Sequence, residues 1–328
     1  MQRKIFNLTA VALIGAALMT PVLAHAQPVK LTLGHGSAPD NPRHLASLKL
    51  AEIAKAKSNG RIEVQVAPSA QLGDDAAMVT ALRTGALDMS ANSQGAVSAA
   101  VPEYAAYGMP FLFSTPAQAF QLLDGPLGKE LADKSAAKGM VVLGYWDNGI
   151  RHMTNGKHPI TKVADMQGLK MRTPPDAVLV DIMQSLGAQA QQIKFAELYV
   201  ALQQGVVDGQ ENPLVNFHAS KLYEVQKHLA LTSHMFQMTP LLISKRSWDR
   251  LNEADRRILT EAAAEATALQ RKLSSEADAR LLEDLKAKGV QVSTVDKVEF
   301  SKATAKVQEK WTSGPIGPYV KKVVDAAR

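Results

Sequence analysis

An arginine at the end of a strand is well suited to holding a carboxylate. Its guanidinium is planar, permanently charged and forked, so it meets both oxygens at once, and such charge-assisted bonds are about twice as strong as neutral ones. Arg172 is set up in this way by its neighbours. Asp165-Met166-Gln167-Gly168-Leu169-Lys170-Met171-Arg172-Thr173-Pro174-Pro175 reads as a short strand over Leu169 to Arg172. Pro174 then ends the pairing and is expected to seed a helix at its first turn, with a break at Gly187. Ligands bind at the carboxyl ends of strands in open α/β sheets, so Arg172 is the first candidate for capturing an organic-acid carboxylate.

Other chemistries find less support. There are no cysteines, which removes disulfides, thiolate metal sites and cysteine nucleophiles. No His-Glu-x-x-His and no Gly-x-Ser-x-Gly occurs, so zinc-protease and hydrolase readings lack their motifs. Gly34-His35-Gly36-Ser37 is only a fragment of a dinucleotide fingerprint. No catalytic residue, cofactor or metal is called for. Asp75 with His35 is the one acid and base pair worth testing for an enzyme.

The elements that must position Arg172 follow from periodicity. Val29, Leu31 and Leu33 alternate as a strand; Asn41-Pro42 caps a helix carrying Ala46, Leu50, Ile53 and Ala54; Ile62, Val64 and Val66 alternate again. A helix from Asp74 to Thr84, stopped by Gly85, leads to a strand over Leu87 to Ala91. Strand and helix in alternation imply parallel pairing with crossover helices. Further on, a helix from Phe120 to Leu131 is interrupted at Gly125-Pro126, and Val141 to Trp146 forms a buried strand. The polar run from Asp147 to Thr154 then suits a hinge, where Tyr145 and Trp146 pack. Leu229 to Thr232 is a strand, the chain crosses back through Gln237, and an unbroken helical face runs from Asn252 to Lys288, long enough to brace two lobes.

Length and composition fit that plan. The 328 residues exceed what one core usually holds, and 46% are apolar. Arg3 and Lys4, an apolar run from Ala10 to Met19, and Ala24-His25-Ala26 follow the order of a secretory signal, with maturation near Gln27. The formal charge of +6 falls to +4 without Arg3 and Lys4. The remaining cations are scattered, which excludes a nucleic-acid surface and leaves a mild bias toward anionic ligands.

An internal repeat supports two lobes of like design. Ala81-Leu82-Arg83-Thr84-Gly85-Ala86-Leu87-Asp88 matches Ala201-Leu202-Gln203-Gln204-Gly205-Val206-Val207-Asp208 with four identities, and Asn92 falls opposite Asn212. Each copy sends a polar residue out of a strand end, so both ends are expected at one cleft.

Five segments in series carry a family likeness: Gln71-Leu72-Gly73-Asp74, Pro110-Phe111-Leu112-Phe113, Gly149-Ile150-Arg151, Asp165 to Arg172, and Ala201 to Pro213 with its Gln210-Glu211-Asn212-Pro213 close. Together they resemble the DctP-type solute receptors of tripartite ATP-independent periplasmic (TRAP) transporters. The resemblance implies an α/β two-lobe clamp, each lobe a β-sheet flanked by helices, with a long helix bracing both. Residues 1–26 would be the signal, 27–148 plus 238–277 the first lobe, and 149–237 plus 278–328 the second.

It further implies a periplasmic monomer that binds a carboxylated solute and delivers it to small and large membrane subunits driven by sodium. Arg172 would hold the carboxylate with Asn212 beside it and Arg151 as a second ligand. Phe195 would be a wall, while Asp75 and the residues around Ser93 and Gln94 would vary with substrate. His35, Asn41 and His44 are looser candidates.

Asn148, Asp147 and Gln237 complete the expected cleft. Competing roles stand beside these. Arg151 also suits a brace to an acid such as Asp147, Asn212 a turn before Pro213, Phe195 plain core, and His35 and His44 solvated loop positions. Cleft hydroxyl readers favour a hydroxylated acid such as a hexuronate, with a four-carbon dicarboxylate as runner-up. An importer-linked or sensory binding protein, or a periplasmic enzyme, are the alternatives.

Overall fold

Nine strands among the described residues join in one hydrogen-bonded sheet, and two of them are far longer than the rest. The computed structural model describes residues 27–328, so the signal reading of residues 1–26 lies outside it. The strands are β1 (Val29–Gly34), β2 (Ile62–Ala67), β3 (Met89–Ala91), β4 (Met140–Asn155), β5 (Lys170–Thr173), β6 (Gln189–Gln192), β7 (Gly209–Asn212), β8 (His228–Ser244) and β9 (Gln291–Ser293). Their order is β2-β1-β3-β8-β4-β7-β5-β6, with β9 on β8. Antiparallel β4 and β8 form the centre, and the parallel sets β2-β1-β3 and β7-β5-β6 flank it as two lobes of a clamp.

Two expectations about elements change. The polar run after Trp146 is not a break between strands but the continuation of β4, with irregular register between Asp147 and Gly149 and between Arg151 and Met153. Alternation is hidden there because Asp147, Asn148, Arg151, Thr154 and Asn155 are all buried. Gly149 takes φ +114°, and a Cβ on it would stand 2.8 Å from the Pro213 ring, so only glycine fits. The helix after β5 starts at Ala177, not Pro174. Pro175 keeps its predecessor out of the helical region, and the Asp176 carboxylate accepts from Val178 N and Leu179 N as the cap. Two smaller differences are that β3 begins at Met89 and that the Phe120 segment is two helices, Pro116–Leu123 and Pro126–Ala137.

The repeat has a structural basis. Gly85 (φ +79°) and Gly205 (φ +69°) are both left-handed. Asp88 accepts from Thr32 N of β1, and Asp208 accepts from Lys170 N of β5. Each aspartate ties its strand to the parallel neighbour, so the two copies occupy equivalent places in the two halves.

The helix Glu253–Ala287 has 35 residues and spans about 52 Å. Its first half buries Leu259, Ala262 and Ala266 against Leu33, Ile62 and Trp146. Its second half buries Ala277, Leu281 and Leu285 against Leu198, Phe217 and Leu229. Between these cores, Gln270 accepts from Asp147 N and donates to Asp147 O, each at 2.7 Å. The carboxy-terminal helix Gly317–Ala326, whose place the sequence left open, buries Tyr319 with its hydroxyl donating to Leu127 O at 2.9 Å. No helix of the described residues is long and apolar enough to cross a membrane.

Gln270 satisfies both backbone groups at the irregular step of β4, where they have no ladder partner. Gln270→Ala is expected to destabilise the protein by about 2–4 kcal/mol, since each buried unsatisfied group costs about 1–3 kcal/mol. Urea unfolding measures this; a change below about 0.5 kcal/mol would contradict the role.

Candidate functional site

The carboxyl ends of β1, β3, β5 and β7 converge, with the middle of β4 and β8, on a cavity of about 150 Å³. That is room for about ten water-sized groups, the scale of a small organic acid. Arg172 is brought there by β5 and is only 1% exposed. Its Nε donates to Ile193 O at 2.8 Å, and its Cζ lies 5.8 Å from the centre of the Phe195 ring. Its Nη2 is buried with no partner, and no carboxylate lies within ion-pair distance of it among the described residues. Burial lowers its pKa to about 10, with Glu211 and Asp75 opposing and Arg151 adding to the shift, so it stays charged at neutral pH. The side chain is therefore a desolvated cation with an unfilled donor.

Arg151 is equally buried but is already satisfied. Its Nη2 donates to Glu211 Oε1 at 2.8 Å and its Nε to Glu211 Oε2. Nη1 reaches Gln237 Oε1 at 2.8 Å, and Nη2 also reaches Asn212 Oδ1 at 3.3 Å. The brace is real, but its acid is Glu211 rather than Asp147. Burial pushes the Glu211 carboxyl up, yet Arg151 and His234 outweigh that and hold it below its ordinary value. Asp147 turns to the long helix, where burial and then Asp278 push it up to about 7.

Of the other expected positions, Asn212, Asn148, Gln237, Phe195, Asp75 and Ser93 line the cavity. A polar chain joins them: Asn148 Nδ2 donates to Gln237 Oε1, Gln237 Nε2 to Asp176 Oδ2, and Asn216 Nδ2 to the side-chain oxygens of Asn148 and Asn212. His35, His44, Asn41 and Gln94 are buried behind the lining rather than in it. His35 Nδ1 accepts from Ser37 N, and its Nε2 faces His44 Nδ1 at 3.1 Å. Burial, then Arg43 and His44, lowers the His35 pKa to about 3, so it is neutral. Gln94 accepts from Met238 N, and Asn41 Nδ2 donates to Asn216 Oδ1 across the cleft. Asn92, the repeat partner of Asn212, donates to Asp75 O behind the wall.

Sequence reasoning missed Arg43, Lys194 and Asn216. Arg43 Nη2 donates to Asn148 Oδ1 at 2.8 Å and Thr239 Oγ1 at 2.7 Å, while its Nε has no partner. A signal existed: a cation in the first turn of a helix opposes the helix dipole. Lys194 closes the mouth with a 2.7 Å pair to Asp74, although its exposure makes that pair weak. Asn216 lies one turn beyond Asn212, on the helix Leu214–Ala219, where a polar side chain reads as solvent-facing.

Comparison with known proteins agrees with this geometry. Residues 33–314 match the model of the bacterial extracellular solute-binding proteins, family 7 (DctP). The chain is 50% identical over 94% of its length to a protein of Sinorhizobium fredii described as uncharacterised, of which it spans 57%. It is 34% identical, over 92% of its length and 89% of the relative, to the C4-dicarboxylate-binding periplasmic protein DctP of Rhodobacter capsulatus. The solved structure of a sugar acid binding protein from Advenella mimigardefordensis, in complex with galactonate, superposes with a TM-score of 0.89 at 35% identity, covering 92% of this chain and 98% of that one.

The two buried arginines should respond differently to truncation in the ligand-free protein. Arg151→Ala strands Glu211 without its partner and is expected to cost about 3–5 kcal/mol. Arg172→Ala removes a cation that burial already disfavours, and about 1 kcal/mol or less is expected. Urea denaturation of both variants checks this; equal losses would contradict the distinction.

Proposed function

The chain belongs to the DctP-type, family 7 bacterial extracellular solute-binding proteins, and from that premise we propose that it captures a small organic-acid anion through Arg172 and hands it to a sodium-coupled TRAP transporter. The observation that carries this reading is the buried, charged guanidinium with an unfilled Nη2 in a cavity between lobes. The solute is a hydroxylated sugar acid or a four-carbon dicarboxylate. The chemistry of its relatives supports both: one is named for C4-dicarboxylates, and another holds galactonate. Asn212, Asn148, Gln237, Asp75 and the Phe195 wall are assigned to ligand contact, with Arg151 positioning Asn212 and Gln237.

The mechanism is ligand-biased closure. With the lobes apart, Arg172 is hydrated; with them together, the anion replaces that water and touches both lobes, so binding shifts the population to the closed form. We assign the moving units as 27–148 with 238–277 and 149–237 with 278–328. Supporting that division, Gly149 pairs with Gln237, and Asp147 with Met238, at the irregular step of the central strands. The carboxy-terminal helix reaches across to Leu127.

The protein is read as a periplasmic receptor rather than an enzyme, exported through residues 1–26, working as a monomer, and docking on small and large membrane subunits. Both His35 ring nitrogens face groups of their own lobe, Ser37 and His44, which leaves the suggested acid and base pair without a free base.

Arg172→Lys is expected to weaken binding of the cognate acid by about tenfold or more, because an ammonium cannot reproduce the fork. Isothermal titration measures it, and unchanged affinity would contradict the assignment.

A further inference from the structure

The charges around the cavity do not suit every anion equally. Arg43, Arg151, Arg172 and Lys194 line it, against Asp74 and Asp75, with Glu211 directly behind Arg151. Four positive groups against three negative ones leave a single positive excess. A monoanion neutralises that excess, whereas a dianion overshoots it. Asp176, one layer further out behind Gln237, moves the balance further from a dianion with any charge it keeps.

The carboxylates also differ in how fully they are used. Asp74 pairs with Lys194 and caps a helix through Ala77 N. Glu211 is held by Arg151. Asp75 is half used: its Oδ2 accepts from Ser93 N at 3.0 Å and Ser93 Oγ at 2.6 Å. Its Oδ1 has no such bond, and it borders Gly36, where a Cβ would stand only 3.0 Å from it. Gly36 and Asp75 both line the cavity, so the missing side chain leaves that oxygen open to a bound molecule. An ionised carboxylate only accepts hydrogen bonds. Whatever meets Asp75 Oδ1 must bring a donor; a second carboxylate brings acceptors and a like charge.

We propose that Asp75 sets the chemical class of the solute: the site takes a polyhydroxylated monocarboxylate, with its carboxylate on Arg172 and a hydroxyl donating to Asp75 Oδ1, and disfavours a four-carbon dicarboxylate. This rests on the receptor reading above and narrows it. Arg172 lies on β5 of the second lobe, and Asp75 opens the helix Asp75–Thr84 of the first. A molecule meeting both terms therefore bridges the cleft, so the residue that reads the hydroxyl also rewards closure. Sites built to hydrogen-bond a hydroxyl reject analogues that lack it strongly.

The test is calorimetric titration of galactonate, glucuronate, erythronate and succinate into the wild-type chain and an Asp75→Asn variant. The wild type is expected to bind at least one of the hydroxylated monoacids about tenfold or more tighter than succinate. Asp75→Asn is expected to narrow that ratio by about tenfold, weakening the hydroxylated acid and strengthening succinate, because the amide lacks the charge and offers a donor. Stronger succinate binding would itself show the variant folded; if Asp75→Asn does not melt cooperatively, Asp75→Ser is read by the same ratio. A wild-type preference for succinate, or a ratio the substitution leaves unchanged, overturns the inference and leaves the receptor reading standing. Binding of none of the four acids by the wild type overturns both.

Discussion

A guanidinium taken out of water with no counter-charge beside it is the constraint on which the rest of the molecule turns. Burial costs such a group several kcal/mol unless a partner repays it. Arg151 shows how the fold does this for its own purposes, with Glu211 held in a two-point contact. Arg172 has no such acid, and one backbone carbonyl and the face of Phe195 are what the protein gives it. The two arginines occupy one cavity, and the difference between them separates a structural ion pair from a waiting one.

The frame keeps that cation in place while allowing the cleft to open. Central strands β4 and β8 run through both lobes, so each lobe's parallel set grows from a shared pair. The ladder is irregular at the level of the cavity, where Gly149 passes close to Pro213. Gln270 on the long helix supports that step from behind, between the two cores that the helix joins. Polar residues buried along this stretch are costly unless bonded, and Asn148, Gln237, Asn212 and Asn216 meet that need through one another.

Much of this was legible in the sequence where one side of an element is apolar and the other is not. The strands at Val29 and Ile62, the capped helix at Pro42 and the bracing helix at Glu253 follow from alternation, caps and helical spacing. The glycine stops of the repeat were equally plain, as was Arg172 at its strand end. What stayed hidden was polar and buried. β4 lost its pattern where Asp147 to Asn155 face the interior, and Arg43 read as a surface cation because nothing local tells of Asn148 and Thr239 a hundred residues or more away. His35 was the converse: its glycine-rich loop suggested an open position, whereas the His44 contact closes it.

A crystal structure of the chain with whichever sugar acid it binds would test the central claim most directly. The account predicts both carboxylate oxygens of the ligand within hydrogen-bond distance of the Arg172 guanidinium, with Nη2 filled. A carboxylate seated elsewhere in the cleft, or Arg172 turned to a carboxylate of the protein itself, would contradict it.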